Sequence, residues 1–213
     1  YPLSSGRLCV VIGDVCDKGV GPALFMAVIR SLLRVLSGKF EPGAEADRSC
    51  SLEDADMLTA LSAVSRTNDY LTAEHADDGM FASLFFGVIC TEDGRMAYVN
   101  AGHEPGLIVS TSGLRAKLGV TGPAVGALPH ARFVVKTAVL DPGDTLLLYS
   151  DGATDALSPS GNAFGRTRLE SSACRPAKSA GKLLRALKRE LFDHAKDAPR
   201  YDDITLLALR RAG

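Results

Sequence analysis

Short apolar runs rich in β-branched residues are interleaved with long helical stretches, and their order constrains the fold more than any other feature of this chain. The runs predict strands at Leu8–Ile12, Ala82–Cys90, Arg95–Ala101, Gly106–Ser110, Phe133–Leu140, Thr145–Tyr149 and Ile204–Leu209. Apolar residues spaced three or four apart predict helices at Ala23–Leu36, Ala55–Glu74 and Leu183–His194. The glycines and prolines of Gly113–Pro129 predict a loop. Helices segregated from a block of strands joined by short turns favour an α+β fold over a doubly wound parallel sheet.

Composition excludes several classes of protein. The 213 residues fit one domain, and 46% of them are hydrophobic, as in an ordinary globular chain. The formal net charge of -1 gives no electrostatic reason to expect nucleic acid or an anionic membrane as a partner. The longest apolar runs are far shorter than the roughly 20 residues of a membrane-spanning helix. We therefore expect neither a nucleic-acid partner nor a membrane segment.

Five cysteines are scattered through the chain without a CxxC pair, which argues against a zinc site and is typical of the reducing cytoplasm. The first apolar run begins only a few residues after Tyr1. We therefore expect residues 1–213 to be a domain that lacks its first strands and belongs to a longer regulatory protein.

Acidic residues lie at the ends of three predicted strands. Asp14 follows Leu8–Ile12, Asp151 follows Thr145–Tyr149, and Asp202 and Asp203 precede Ile204–Leu209. If the fold aligns these strand ends, several carboxylates meet, and their mutual repulsion is relieved by a hard divalent cation. Two such ions clamp a phosphate and activate a water for hydrolysis. The pattern thus indicates a metal-dependent phosphoesterase.

A structural interpretation of the same residues stays open at this point. An aspartate at a strand end is a common turn residue, and a sequence pattern does not prove that the strand ends meet. His103 is a candidate general acid, but a histidine in such a turn more often satisfies backbone groups. Asn100 is expected to serve the turn in the same way. Asp17 and Lys18 are expected to face solvent.

Six segments, in this order, resemble the signatures of SpoIIE-type phosphatases of the PPM, or protein phosphatase 2C-like, superfamily. They are GDVCDKGVGPAL at Gly13–Leu24, TNDYL at Thr67–Leu71, FASLFF at Phe81–Phe86, NAGHEP at Asn100–Pro105, SDGATD at Ser150–Asp155 and DDIT at Asp202–Thr205. Asp155 stands where the family usually has Glu. The resemblance runs from about Arg7 to Leu209, almost the whole chain.

The resemblance implies a four-layer α-β-β-α sandwich, with a central antiparallel β-sandwich flanked by helices and a site for two Mn²⁺ or Mg²⁺ ions. By motif match, Asp14 and the carbonyl of Val15 would bind metal, as would Asp151 and Asp202, with Asp203 the runner-up to Asp202. The family removes phosphate from serine or threonine of small STAS-type anti-anti-sigma proteins, and it often follows an N-terminal sensor or receiver domain. A cytoplasmic protein serine/threonine phosphatase is therefore the function that the resemblance implies.

Two rival hypotheses are distinct from this one. In the second hypothesis the chain is a catalytically silent PPM-fold module that binds a partner, although the intact acidic set argues against it. A phosphoryl-transfer enzyme with a nucleophilic aspartate is the third hypothesis, and no DxD element follows a predicted strand to support it.

Overall fold

The computed structural model describes residues 1–3, 6–38, 55–75, 79–199 and 202–213. Within these ranges the chain forms two compact units, Tyr1–His103 with Val120–Val139, and Glu104–Gly119 with Leu140–Gly213. The elements in chain order are β1 (Arg7–Val15), α1 (Val20–Ser37), α2 (Ala55–Glu74), β2 (Ala82–Cys90), β3 (Arg95–Ala101), β4 (Gly106–Ser110), β5 (Gly113–Leu118), β6 (Lys136–Val139), β7 (Thr145–Tyr149), α3 (Asp151–Thr154), α4 (Arg166–Ala173), α5 (Ala180–Ala195) and β8 (Leu206–Arg210).

The first unit is an antiparallel sheet covered by two helices. Its strand order is β1-β2-β3-β6, and β1 pairs with β2 along its whole length, from Arg7 opposite Cys90 to Val15 opposite Ala82. Helix α1 turns Phe25, Ile29 and Leu33 inward, one residue per turn, because this i, i+4, i+8 spacing keeps them on one face. They join a buried core with residues of α2 and of the strands, including Leu61, Val64, Leu84, Phe86, Val88 and Val99.

Asn68 connects α2 to the loop that precedes β6. Its side chain is fully buried; it accepts a hydrogen bond from the Gly126 N–H at 3.0 Å and donates one to the Leu128 carbonyl at 3.1 Å. A buried amide is tolerated where its hydrogen-bonding groups are satisfied, and these two contacts satisfy the Asn68 amide. The TNDYL segment therefore serves the packing of this unit.

The second unit is an antiparallel sheet of order β5-β4-β7-β8 with three helices. Strand β7 is buried throughout, since it is flanked by β4 and β8. Helix α5 starts where Ser179 Oγ accepts a hydrogen bond from the Lys182 N–H, the usual role of a serine N-cap. The buried core of this unit combines Leu107, Leu147 and Tyr149 of the sheet with Phe164, Leu169, Leu183, Leu187 and Leu191.

The predicted α+β class is confirmed, because each unit is an antiparallel sheet covered by helices. The three predicted helices and seven predicted strands all form, although the strand predicted at Phe133–Leu140 is limited to Lys136–Val139. The loop predicted over Gly113–Pro129 is wrong at its start, where Gly113–Leu118 pairs with β4. Strand β5 is an exposed edge with Arg115 and Lys117, so it lacks the apolar run that marks the other strands.

Helix α1 deserves comparison with a membrane span. Its 18 residues, with a mean hydropathy of 1.6, satisfy the length and composition of one, and 22% of them are buried. The core helix of a soluble protein passes the same test. The inward positions of Phe25, Ile29 and Leu33 make α1 part of the core of the first unit.

Candidate metal centre

Two of the predicted acidic residues meet in the second unit. Asp151 and Asp202 each bring a carboxylate oxygen within 4.8 Å of the other, and both side chains are exposed. Asp151 is the first residue of α3, one residue after the end of β7, and Asp202 lies shortly before β8. Strands β7 and β8 are antiparallel neighbours, with Tyr149 opposite Leu206, so the end of one lies beside the start of the other. This pairing accounts for the meeting of two carboxylates that are 51 residues apart in the chain.

Ser150 fixes the backbone between these carboxylates. Its N–H donates to the Thr205 carbonyl at 3.0 Å, and its hydroxyl donates to the Asp203 carbonyl at 3.0 Å. The same hydroxyl oxygen accepts from the Thr205 N–H at 3.0 Å. Ser150 is 2% exposed, so these bonds are shielded from water. One buried serine thus ties the Asp151 segment to the Asp202–Thr205 segment by three hydrogen bonds.

Gly152 allows the two segments to approach each other. A Cβ built at position 152 would lie 2.3 Å from the Asp203 carbonyl oxygen, a distance at which heavy atoms overlap. The glycine of the SDGATD segment is therefore required by close backbone packing rather than by a positive φ. It brings the DDIT segment against the start of α3.

Asp202 and Asp203 have different surroundings. The N–H of Asp203 donates to Asp202 Oδ1 at 2.8 Å, which holds the Asp202 side chain against its own backbone. The Asp203 carbonyl is engaged by Ser150. Asp202 supplies the carboxylate that meets Asp151, as the motif comparison predicted, and the metal role of Asp203 stays a prediction.

Asp14 lies in the first unit and is half-buried. It was expected in a turn just after the strand, but β1 continues through it to Val15, and Asp14 stands opposite Ser83 of β2. The strand extends beyond its apolar run because backbone pairing continues there. The Cys16 N–H still donates to the carbonyl of Phe81, the residue before β2, at 3.0 Å. Ladder hydrogen bonds therefore fix the backbone of Asp14, which a turn would hold less firmly.

The turn itself begins only after Cys16. Asp17 has φ 70° and Gly19 has φ 110°, and α1 starts at Val20. The Asp17 carboxylate accepts from the Lys18 N–H at 2.8 Å, which stabilises the left-handed conformation of its own loop. Asp17 and Lys18 are both exposed, as predicted.

The NAGHEP turn holds a buried histidine. Asn100 is fully buried and its side-chain oxygen accepts from the His103 N–H at 2.8 Å, so the predicted turn role of Asn100 is confirmed. The His103 side chain was expected to satisfy backbone groups. It also makes a side-chain contact, since its Nδ1 lies 2.8 Å from Ser83 Oγ. Sequence reasoning overlooked Ser83 and Ser150. The one available signal for Ser83 was a polar residue within an otherwise apolar strand.

The donor set of the acidic pair suits a hard divalent cation. Both groups are carboxylates, and two like charges this close repel each other unless a cation lies between them. Mg²⁺ and Mn²⁺ prefer oxygen ligands, whereas sulfur or imidazole would favour softer metals. The geometry of this pair therefore fits the metals implied by the motifs.

Tyr149, which immediately precedes this site, stays protonated. Burial raises the pKa of its phenol to about 12, with a further increase from Glu104 and a decrease from Arg166. Arg166 forms a bidentate ion pair with Glu104, at 2.9 and 2.6 Å. The phenol is consequently a neutral packing group near neutral pH.

Comparison with known proteins relates the chain to a family. The family model described as Stage II sporulation protein E (SpoIIE) matches residues 4–212. Protein IcfG of Synechocystis sp. is 44% identical over 220 residues, which cover 99% of this chain and 35% of that protein. Phosphoserine phosphatase RsbU of Bacillus subtilis is 26% identical over 210 residues, covering 95% of this chain and 55% of that protein. The chain thus spans between about a third and about half of these relatives.

Solved structures show the same fold. The RsbU and RsbW domains of Rv1364c from Mycobacterium tuberculosis align with a TM-score of 0.72 at 25% identity, over 97% of this chain and 52% of that one. The SiaA-PP2C domain of Pseudomonas aeruginosa aligns with a TM-score of 0.74 at 18% identity, over 96% of this chain and 80% of that one. The second likeness concerns the fold alone.

Proposed function

This chain belongs to the SpoIIE family of PP2C-like phosphatases, and on that premise we propose that it hydrolyses phosphoserine or phosphothreonine on a regulatory protein partner with two divalent metal ions. The single observation that carries the proposal is the approach of the Asp151 and Asp202 carboxylates to within 4.8 Å. Two carboxylates at that separation repel each other, and a divalent cation between them would relieve the repulsion.

The proposed ligands come from two parts of the chain. Asp151 and Asp202 supply the pair in the second unit, and Asp203 is the runner-up to Asp202. Asp14 and the Val15 carbonyl are assigned by their match to the GDV motif. The half-buried position of Asp14 on a paired strand supports its assignment, since metal ligands benefit from a rigid backbone.

Bound divalent ions would supply Lewis-acid activation of water and neutralise charge on the phosphate. The chain's own contribution is to hold its carboxylates in position. Ser150 does this for the second unit through its three hydrogen bonds, and Gly152 lets the two acidic segments pack together. None of these groups needs to act as a nucleophile toward phosphorus.

The proposed substrate is a phosphorylated STAS-type anti-anti-sigma protein. The six motifs support this assignment, and two relatives of this chain, RsbU and RsbP of Bacillus subtilis, are named phosphoserine phosphatases. Manganese and magnesium are the proposed metals because the family is metal-dependent and the donors are hard oxygens. We propose the cytoplasm as the compartment, supported by free thiols at Cys9, Cys16, Cys90 and Cys174.

The test measures phosphate release from a phosphoserine-containing STAS protein with Mn²⁺, for the wild type and for Asp14→Asn, Asp151→Asn and Asp202→Asn. Each variant is expected to lose at least 100-fold in kcat, because removing a ligand charge weakens metal binding and its activation of water. Asp193→Asn, on the exposed face of α5, is the matched control and should keep full activity.

Two results would overturn the proposal. Turnover that survives excess chelator or all three substitutions would exclude a metal-dependent reaction at these residues. Absence of Mn²⁺ binding by calorimetry at millimolar concentration, together with retained binding of the STAS protein, would instead favour a catalytically silent partner-binding module.

A further inference from the structure

Ser83, which is half-buried, and the buried His103 form a hydrogen-bonded pair, and Ser83 stands opposite Asp14. Ser83 Oγ lies 2.8 Å from His103 Nδ1, and His103 is 4% exposed. We propose that these two are positioning residues: the His103 ring holds the Ser83 hydroxyl on the strand face that carries the Asp14 carboxylate, and so orients Asp14 for metal. The inference deepens the proposed function and rests on it.

The NAGHEP turn is built to deliver the His103 ring to Ser83. Asn100 is tied down by its carbonyl, which accepts from Thr121 N–H at 2.7 Å, and by its N–H, which donates to Thr121 Oγ1 at 3.0 Å. Its side chain then accepts from the His103 N–H. Gly102 takes φ 72°, a conformation that favours glycine, and a Cβ there would lie 3.1 Å from the Ala124 nitrogen. Asn100 and Gly102 thus fix the backbone from which the His103 side chain starts.

The strand register carries the effect from Ser83 to Asp14. Asp14 and Ser83 are directly opposite in the antiparallel pair β1 and β2. Residues opposite each other place their side chains on the same face, with Cβ atoms about 4.5–5.5 Å apart. The Ser83 hydroxyl is therefore a close neighbour of the Asp14 side chain, and a rotation about its χ1 would change the surroundings of the carboxylate.

The contribution of His103 is to hold the Ser83 hydroxyl in one orientation. A free serine side chain samples three staggered rotamers, whereas a hydrogen bond to a buried ring selects one. Groups that orient metal ligands in this way typically change metal affinity by about 10–100-fold when they are removed. In this proposal His103 acts only through its Nδ1 contact with Ser83 and neither touches substrate nor transfers a proton.

The test is calorimetric titration of Mn²⁺ into the wild type, Ser83→Ala, His103→Ala, His103→Asn and His103→Gln. Both alanine variants are expected to bind Mn²⁺ at least 10-fold more weakly. His103→Asn should recover part of the loss, because its amide occupies the position of Nδ1. His103→Gln should not, because its amide extends to the position of Nε2.

His130→Asn is the control, since His130 is exposed with φ 53°, a conformation that asparagine tolerates. Thermal unfolding without metal identifies any variant that fails to fold. If the alanine variants fail, the difference in Mn²⁺ affinity between His103→Asn and His103→Gln tests the inference. Wild-type protein that binds no Mn²⁺ would overturn the proposed function. Wild-type binding that Ser83→Ala and His103→Ala match in affinity would overturn only this inference. Unchanged Mn²⁺ affinity, with loss of turnover confined to poor leaving groups, would make His103 a general acid and also overturn it.

Discussion

Gly152 packs against the backbone of Asp203 so closely that a Cβ at position 152 would lie 2.3 Å from the Asp203 carbonyl oxygen. This contact joins the segment of Asp151 to the segment of Asp202. Because Ser150 bonds to the same carbonyl, the Asp203 backbone is held from two sides. The approach of the two carboxylates therefore depends on a residue that carries no side chain.

Gly152→Ala is expected to lower the free energy of unfolding by about 2–3 kcal/mol, because the backbone must shift to accept the methyl group. Gly181→Ala is the matched control: its Cβ would meet nothing closer than 3.6 Å, and a helical alanine should raise stability by about 0.5 kcal/mol. Urea unfolding of both variants checks this. Equal stability of Gly152→Ala and wild type would contradict the packing described at this contact.

Asp202→Asn is expected to weaken Mn²⁺ binding more than Asp203→Asn does, by about 10-fold or more. The reason is that Asp202 brings its carboxylate to Asp151, while the engaged atoms of Asp203 are its backbone N–H and carbonyl. Calorimetric titration of Mn²⁺ into each variant measures the difference. A larger loss in Asp203→Asn would reverse the assignment of the two aspartates.

Asn68→Ala is expected to destabilise the chain by about 2–3 kcal/mol, because the Gly126 N–H and the Leu128 carbonyl both lose their partner. Asp69→Ala, one residue along α2 and exposed, should change stability by less than about 0.5 kcal/mol. Chemical unfolding of the two variants, followed by circular dichroism, gives the comparison. Similar losses in both would mean that the buried amide of Asn68 does not account for the effect, since alanine itself favours the helix.

Cys9 makes stability depend on alkaline pH. Burial raises the pKa of its thiol to about 11, whereas in the unfolded chain the thiol titrates near 8.5–9. The unfolded state therefore releases a proton that the folded state retains, so this contribution is complete below about pH 8.5 and is lost as pH rises to about 11.

The magnitude follows from the shift of about two pKa units, which corresponds to roughly 2–3 kcal/mol. The stability difference between wild type and Cys9→Ala should be constant from pH 6 to 8 and should fall by this amount by pH 11. Cys9 contributes to the raised pKa of the Tyr1 phenol, so the difference includes the coupling between Tyr1 and Cys9, while the contributions of the other tyrosines should cancel. A difference that stays flat up to pH 11 would contradict the prediction.

Strands and helices with apolar faces were predictable because burial selects their residues. Strand β5 escaped prediction because it is an exposed edge with charged side chains, and α4 because its residues RTRLESSA have no clear apolar face. Asp14 was expected in a turn because glycine follows the apolar run so soon, yet ladder pairing outlasts the run of apolar side chains. The apolar residues of a sequence therefore predict which segments are buried better than they predict where backbone hydrogen bonding ends.

The candidate site was predictable as a list of aspartates and not as an arrangement. The meeting of Asp151 with Asp202 depends on the pairing of β7 with β8, which joins segments about 50 residues apart in the chain. The supporting roles of Ser83 and Ser150 have only weak signals in the sequence, since Ser83 is a polar residue in an apolar strand and Ser150 simply precedes Asp151. They are identified only when the strand register and the backbone contacts are known.

The pairing of β1 with β2 also limits how the length of this chain can change. Side chains alternate between faces, so inserting or deleting one residue between Arg7 and Asp14 would turn the Asp14 carboxylate away from Ser83 and toward the opposite face. The turn after Cys90 has no such restriction, because an added residue there leaves the register of both strands intact. Among homologous sequences, gaps should therefore gather in the turn between β2 and β3 and be absent along β1.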